Sequence, residues 1–176
     1  MRRKLMGALI AGTVIAGAIA YVENVQATPA SGFAGTPLAV GRFDEIDVSN
    51  HVFFPDADGN PGHKQLWLSH QKTKGPSDLH VQSNTWAPGG TTGWHTHPGH
   101  SLIIVTSGAV TVYEGHDSSC TPRVYTQGMG FVDEGGDHVH VIRNEGGVEA
   151  RTVAVQLIPA GAARRADAPG NPACTF

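Results

Sequence analysis

The chain predicts an all-β fold, a sandwich or a closed barrel, on three observations. From Asp78 onward the apolar runs are short, rich in β-branched residues and bounded by Gly, Pro, Asn or Asp. Glycine and proline are frequent, 23 and 11 of 176 residues, as tight turns between many brief strands require. That region shows no convincing helical periodicity. With 40% hydrophobic and 15% charged residues the chain can bury one sizeable core but hardly two, which predicts a single domain.

At the amino end, Met1-Arg2-Arg3-Lys4 is basic, Leu5 to Val22 is apolar and rich in Ala and Gly, and Val25-Gln26-Ala27 offers the small residues an export peptidase reads. Residues 1–27 therefore read as a secretion signal, which places the folded part outside the cytoplasm and leaves no stable membrane partner once it is cleaved. An uncleaved anchor is the alternative, since the apolar run is just long enough to span a bilayer. Residues 28–36, TPASGFAGT, read as a linker, and the barrel domain is expected over 37–160. A short strand is expected at 38–40 and a less regular one at 46–54. Asp56 to Gly62 is a dense turn whose Asp spacing resembles a calcium loop but lacks the glutamate such a loop needs. Further strands are expected near 79–86, 101–106, 109–114, 123–126, 130–133, 138–143 and 151–158. Ser107-Gly108 and Asn144 to Gly147 supply hairpin turns. Residues 161–176 are aperiodic and read as a tail.

A net charge of −3 and a pI near 6.3 leave no electrostatic footprint for nucleic acid, and no basic stripe is present. Phosphate-loop, dinucleotide and nucleophile-elbow motifs are absent. The only cysteines, Cys120 and Cys174, form an even pair in an exported chain and predict a disulfide that tethers the tail. Neither lies near the histidine motifs in sequence, so a catalytic role for them has no support.

Chemistry concentrates in two stretches, His95-Thr96-His97 and GGDHVHVIRN with His140. Alternate side chains of a strand share a face, so His95 and His97 project together as a chelating pair. A third imidazole from a distant strand completes a facial set of three with open positions for water, oxygen or substrate. His138 has the same parity as His140, so on alternation alone either could be the inward one. His51, His63, His70, His80 and His116 lie in polar or turn-rich contexts and read as surface residues. His80, Gln82, Asn84 and Trp86 alternate on one face of a strand and are candidates for polar groups of the barrel interior. Trp94 is a candidate wall of the cavity mouth. Asp133, Glu134 and Asp137 read as a charged turn, with an acid or base role at the rim as the alternative.

These residues carry a resemblance to a known family. Pro88-Gly89, His95-x-His97 and Gly108 resemble the first motif of the cupins, and Gly128, Gly130, Gly136, His140 and Asn144 resemble the second. The resemblance implies a double-stranded β-helix, the cupin jelly-roll barrel, and its Asn144 spacing selects His140 over His138 as ligand. It also exposes one departure. Where the family's first motif has a glutamate, this chain has Ser101, which shares parity with His95 and His97 but is a poor metal ligand. His100 is one residue out of register and would face inward as a fourth ligand only if Pro98-Gly99 bulges the strand.

The expected cofactor is one divalent transition metal, iron first, with manganese, nickel or zinc as alternatives. Three neutral imidazoles would leave the ion its full double charge and favour anionic ligands. Because the ligands must be deprotonated, metal affinity should fall below the ordinary histidine pKa of about 6.5. Among cupins, three-histidine sites resemble those of dioxygenases, so the expected activity is an iron-dependent oxidoreductase acting on a small anionic substrate. A non-catalytic module binding a small ligand, a sugar or the metal itself is the alternative. A homodimer through sheet edges is a further expectation drawn from the family.

Overall fold

The computed structural model describes residues 28–176, apart from Asp56, Asp58, Pro61 and His63. The signal expected over residues 1–27 lies outside the described residues. Among the described residues there are twelve strands and no helix, so none is long and apolar enough to cross a membrane.

Strand β4, Ser77–Thr91, organises the molecule. β1, Ser31–Phe43, runs antiparallel along one edge of it and β11, Ala150–Pro159, along the other. β6, Ser101–Ser107, and then β9, Gly130–Asp133, extend the sheet beyond β11. The far end of β4 passes at Thr91 to β10, His140–Arg143. β10 pairs on one side with β7, Ala109–Glu114, which carries β8, Arg123–Thr126. On its other side it pairs with β5, His95–Thr96, which in turn pairs with β12, Ala166–Asp167. The result is one ten-stranded antiparallel sheet that curls into an almost closed barrel.

The core explains the curl. On β4 and β11 the even-numbered residues face inward and stand opposite each other, Ala150 against Trp86, Thr152 against Asn84 and Ala154 against Gln82. On β6 the inward residues are Ser101, Ile103 and Val105, and Leu102 and Ile104 face out. Trp86, Ile103, Val105, Val110, Val112, Phe131 and Ile142 meet from both halves of the sheet, so neither half can bury its apolar face without the other. Phe33 covers Trp86 with ring centroids 4.9 Å apart.

Three stretches differ from expectation. Residues 31–36, expected as linker, belong to β1 and pair with β4 from Thr91 down to Ser83. The strand expected at 38–40 is therefore much longer, because the chain gains edge hydrogen bonds whatever its side chains. The hairpin of β2, Asp47–Pro55, and β3, Lys64–Lys72, forms a separate two-stranded sheet whose second strand was not expected. It exposes Phe53, Leu66, Trp67 and Leu68. The tail is more than a disulfide tether. β12 pairs with β5, Ala168 and Asn171 are buried, and Asn171 Nδ2 donates to the carbonyls of Glu114 and Asp117. The Cys120–Cys174 disulfide is formed, with Cα atoms 5.3 Å apart, and packs beside Trp94, Tyr113 and Val141.

Candidate metal centre

The three histidines arrive by different local routes. His95 sits on β5 directly opposite His140 of β10, a cross-strand pair. Its ring is turned by Gly93, whose carbonyl accepts a 2.8 Å bond from Nδ1–H. Gly93 has φ +67°, and a Cβ there would lie 1.9 Å from the carbonyl oxygen of Thr28, so glycine is required. His97, just beyond β5, donates from Nδ1 to the carbonyl of Arg164 at 2.5 Å. In both rings that bond leaves Nε2 with the lone pair.

His140 completes the set. The ligand atoms of His95, His97 and His140 all lie within 4.8 Å of one another. His140 Nε2 is buried and has no hydrogen-bond partner. A buried orphan nitrogen is costly unless something binds it, and a divalent ion is the partner these donors suit. Burial pushes the His95 imidazole down to about 2, with His140, Arg165 and His97 adding repulsion. Burial lowers His140 as well, against the opposing pull of Asp133. Both rings are therefore neutral ligands at ordinary pH.

The histidines open onto a cavity of about 200 Å³ inside the barrel. Phe33, Trp86, Ile103 and Ile142 form its apolar wall. Gln82, Asn84 and Gln156 form the polar wall, as the alternation on β4 predicts for Gln82, Asn84 and Trp86. Arg164 enters from the tail, its Nη1 donating to Gln82 Oε1 at 2.7 Å and its Nε to Gln156 Oε1 at 3.0 Å. Gln82 in turn donates to Asn84 Oδ1. A wider surface groove of about 540 Å³ beside the β2–β3 hairpin contains none of the three histidines.

The other candidate residues separate. Ser101 is buried on β6 and lines the cavity, as its parity requires. His100 lines the outer groove with His70 and Pro159, because β6 begins at Ser101 in the register that keeps residue 100 out. Trp94 is buried against Tyr113, Val141 and the ring of Phe176, outside the histidine cavity. His138 stands before β10, pairs with Glu134 at 3.0 Å and lines a smaller adjoining cavity with His116.

The charge of the site also differs from expectation. Glu134 and Asp137 are exposed, as a charged turn would have them, but Asp133 is the inward end of β9 and is buried. Its Oδ2 lies 3.4 Å from His97 Nε2, and its Oδ1 lies 3.5 Å from His140 Nδ1. The site is thus not free of carboxylate. A signal for Asp133 was present, since it shares parity with the core residue Phe131 on the short strand Gly130–Asp133. Arg164 had no such signal, because nothing in an aperiodic segment marks which residue turns inward.

A barrel of this build with histidines gathered inside it has a counterpart among known families. The model of the cupin domain family matches residues 84–156, from Asn84 to Gln156, which takes in all three histidines and much of the cavity lining but not Phe33, Gln82 or Arg164. The matched residues form a cupin domain, and the three-histidine cluster in them suggests a divalent metal site, just as the fold suggests binding of a small molecule. No curated protein matches the chain. Similar solved structures include a conserved protein with a double-stranded β-helix domain from Klebsiella pneumoniae, at 24% identity and TM-score 0.44 over 51% of this chain and 74% of that one. A conserved protein of unknown function from Streptococcus pyogenes has 17% identity and TM-score 0.41 over 47% and 67%. An oxalate oxidase has 26% identity and TM-score 0.40 over 47% of this chain and 46% of its own.

Proposed function

We propose that this chain is an exported cupin that holds one divalent transition metal, iron first, through His95, His97 and His140, and acts as a dioxygenase on a small anionic substrate. The observation that carries the reading is the convergence of three imidazoles, one of them with a buried and unpartnered Nε2, on a cavity inside the barrel. Bound there, a ferrous ion would supply the redox chemistry for oxygen-dependent oxidation of the substrate.

The protein's own groups have separable parts in this. The carbonyls of Gly93 and Arg164 hold the His95 and His97 rings in the tautomer that leaves Nε2 to the ion. Arg164, gripped by Gln82 and Gln156, presents a fixed cation to the substrate's negative group. Trp86, Phe33 and Ile103 exclude bulk water, and a cavity of about 200 Å³ admits only a small molecule. Export is supported by the basic and apolar start of the sequence and by the Cys120–Cys174 disulfide, a bond that persists in oxidising compartments.

The amide-rich wall of Gln82, Asn84 and Gln156 favours one second reading, a non-catalytic module that holds a small ligand, a sugar or the metal alone. Metal content and oxygen uptake, measured with thiols, diketones and phenolic acids, separate the two. The dioxygenase reading expects one ion per chain and substrate-dependent oxygen uptake, both lost in His97→Ala, and a KM raised at least tenfold with little change in kcat in Arg164→Ala. Metal without oxygen uptake selects the binding module. No metal after anaerobic loading with iron, manganese, nickel and zinc refutes the dioxygenase reading and leaves only a module that holds a small ligand or a sugar.

A further inference from the structure

Resting on the metal-binding reading above, we propose that Asp133 is a fourth ligand of the site, a carboxylate delivered by β9 across the strand pair from Ser101. The register makes the exchange possible. Ser101 on β6 and Asp133 on β9 are direct antiparallel partners and both point into the barrel. Opposite residues on one sheet face sit about 5 Å apart at Cβ, so a carboxylate on either strand reaches the same region.

Three further observations single out Asp133. Its side chain is only 3% exposed, the burial of an interior group and not of a turn residue. Its polar partners are Ser101 Oγ, which donates to Oδ2 at 3.1 Å, the Gly135 N–H, which donates to Oδ1 at 3.0 Å, and the His97 and His140 rings. Among the described residues no lysine or arginine pairs with it, so its buried carboxyl oxygens lack a cationic partner. An ion held by the histidines would supply it.

The geometry also suits ligation. Two cis donors each about 2.1 Å from one ion lie about 3 Å apart. Asp133 Oδ2 stands 3.4 Å from His97 Nε2, close to that spacing, with no side chain between. Ser101 becomes the group that orients the carboxylate, its hydroxyl holding the same oxygen. Three imidazoles and one carboxylate leave a divalent ion one net positive charge where three imidazoles would leave two. The donor set favours ferrous, manganous, nickel or zinc ions over cuprous copper.

The test uses the full chain and Co(II) as probe, with affinity from chelator competition and the ligand set from the visible absorption of the bound ion. Asp133→Asn is expected to bind at least tenfold more weakly and to change the Co(II) spectrum. Ser101→Glu combined with Asp133→Asn, which carries the carboxylate across the pair, is expected to recover most of the affinity. Parent-like affinity and spectrum in Asp133→Asn overturn the proposal. So does weaker binding with an unchanged spectrum, which would make Asp133 a residue that only orients His140. If Asp133→Asn does not fold, the double variant decides, and a folded double variant without recovered binding overturns the proposal. A parent chain that takes up no Co(II), or a His97→Ala variant that binds as the parent does, instead refutes the metal reading on which this rests.

Discussion

Asn144 ties the β4 backbone to the loop between β10 and β11. The residue is 1% exposed, and Nδ2 donates to the carbonyls of Trp86, Ala87 and Val148 while Oδ1 accepts from the Gly146 N–H. Its own N–H and carbonyl bond Gly90 and Gly89 across the end of the barrel. Removing the amide strands several buried polar groups at once, each costing about 1–3 kcal/mol. Asn144→Ala should therefore lose about 3 kcal/mol in urea unfolding, with an unchanged m-value. An effect below about 1 kcal/mol would mean that water replaces the amide. Asn144 is also the residue whose spacing distinguishes His140 from His138 in the sequence, so one side chain serves as both a structural tie and a guide to the ligand.

Strands are held to one another by more than their ladders. Asp78 on β4 takes two bonds of 2.8 Å from the Arg42 guanidinium on β1 and one of 2.9 Å from the Gly161 N–H beyond β11. The Arg42 hydrogen bonds, and then the Gly161 N–H, hold its carboxyl well below the usual carboxylate range. A carboxylate whose folded pKa is depressed contributes stability that is full above the unfolded value of about 3.9 and is lost as pH falls from there through the folded value. Acid titration of unfolding should show that loss below about pH 4, and Arg42→Ala should flatten it. A variant curve parallel to the parent's would sink the argument.

Strands that stand between core and solvent leave their mark on the sequence. β4, β6, β9 and β11 were readable because alternation and flanking turns record which face is buried. β3 was not, since its residues are almost all exposed and no burial imposes a period on the run from Lys64 to Lys72. β5 and β12 are two residues long and exist because tertiary pairing puts them side by side. The histidine set was legible through the paired motifs of the cupin resemblance, since alternation alone left His138 and His140 both open. Asp133 shares parity with Phe131, but a carboxylate before Glu134-Gly135-Gly136 reads as part of a turn until the register with Ser101 is known.

The barrel and its tail form one covalently closed unit. Cys120 lies after β7 and Cys174 near the other end of the tail, a separation of 54 residues, so the bond restricts a long loop in the unfolded chain. On chain-entropy grounds that amounts to about 4 kcal/mol. Scanning calorimetry of the oxidised chain against Cys120→Ser/Cys174→Ser should show a Tm lower by about 10 °C in the variant. A shift of only a degree or two would show that β12 and Asn171 hold the tail unaided. The apolar packing of Phe176 on Trp94 and Tyr113, with Arg143 over its ring, is expected to loosen in the same variant.

The bond from His97 to the Arg164 carbonyl spans 67 positions of sequence, and it imposes an order of events. Every strand from β1 to β11 precedes Arg164, so the barrel can close while His97 still samples both tautomers and several rotamers. Only when the tail lies down does the ring acquire a single proton position and a single aim. On the metal-binding reading, the set of three would be complete only with the tail docked, and a chain whose tail is undocked would offer an ion two oriented histidines and one unfixed ring.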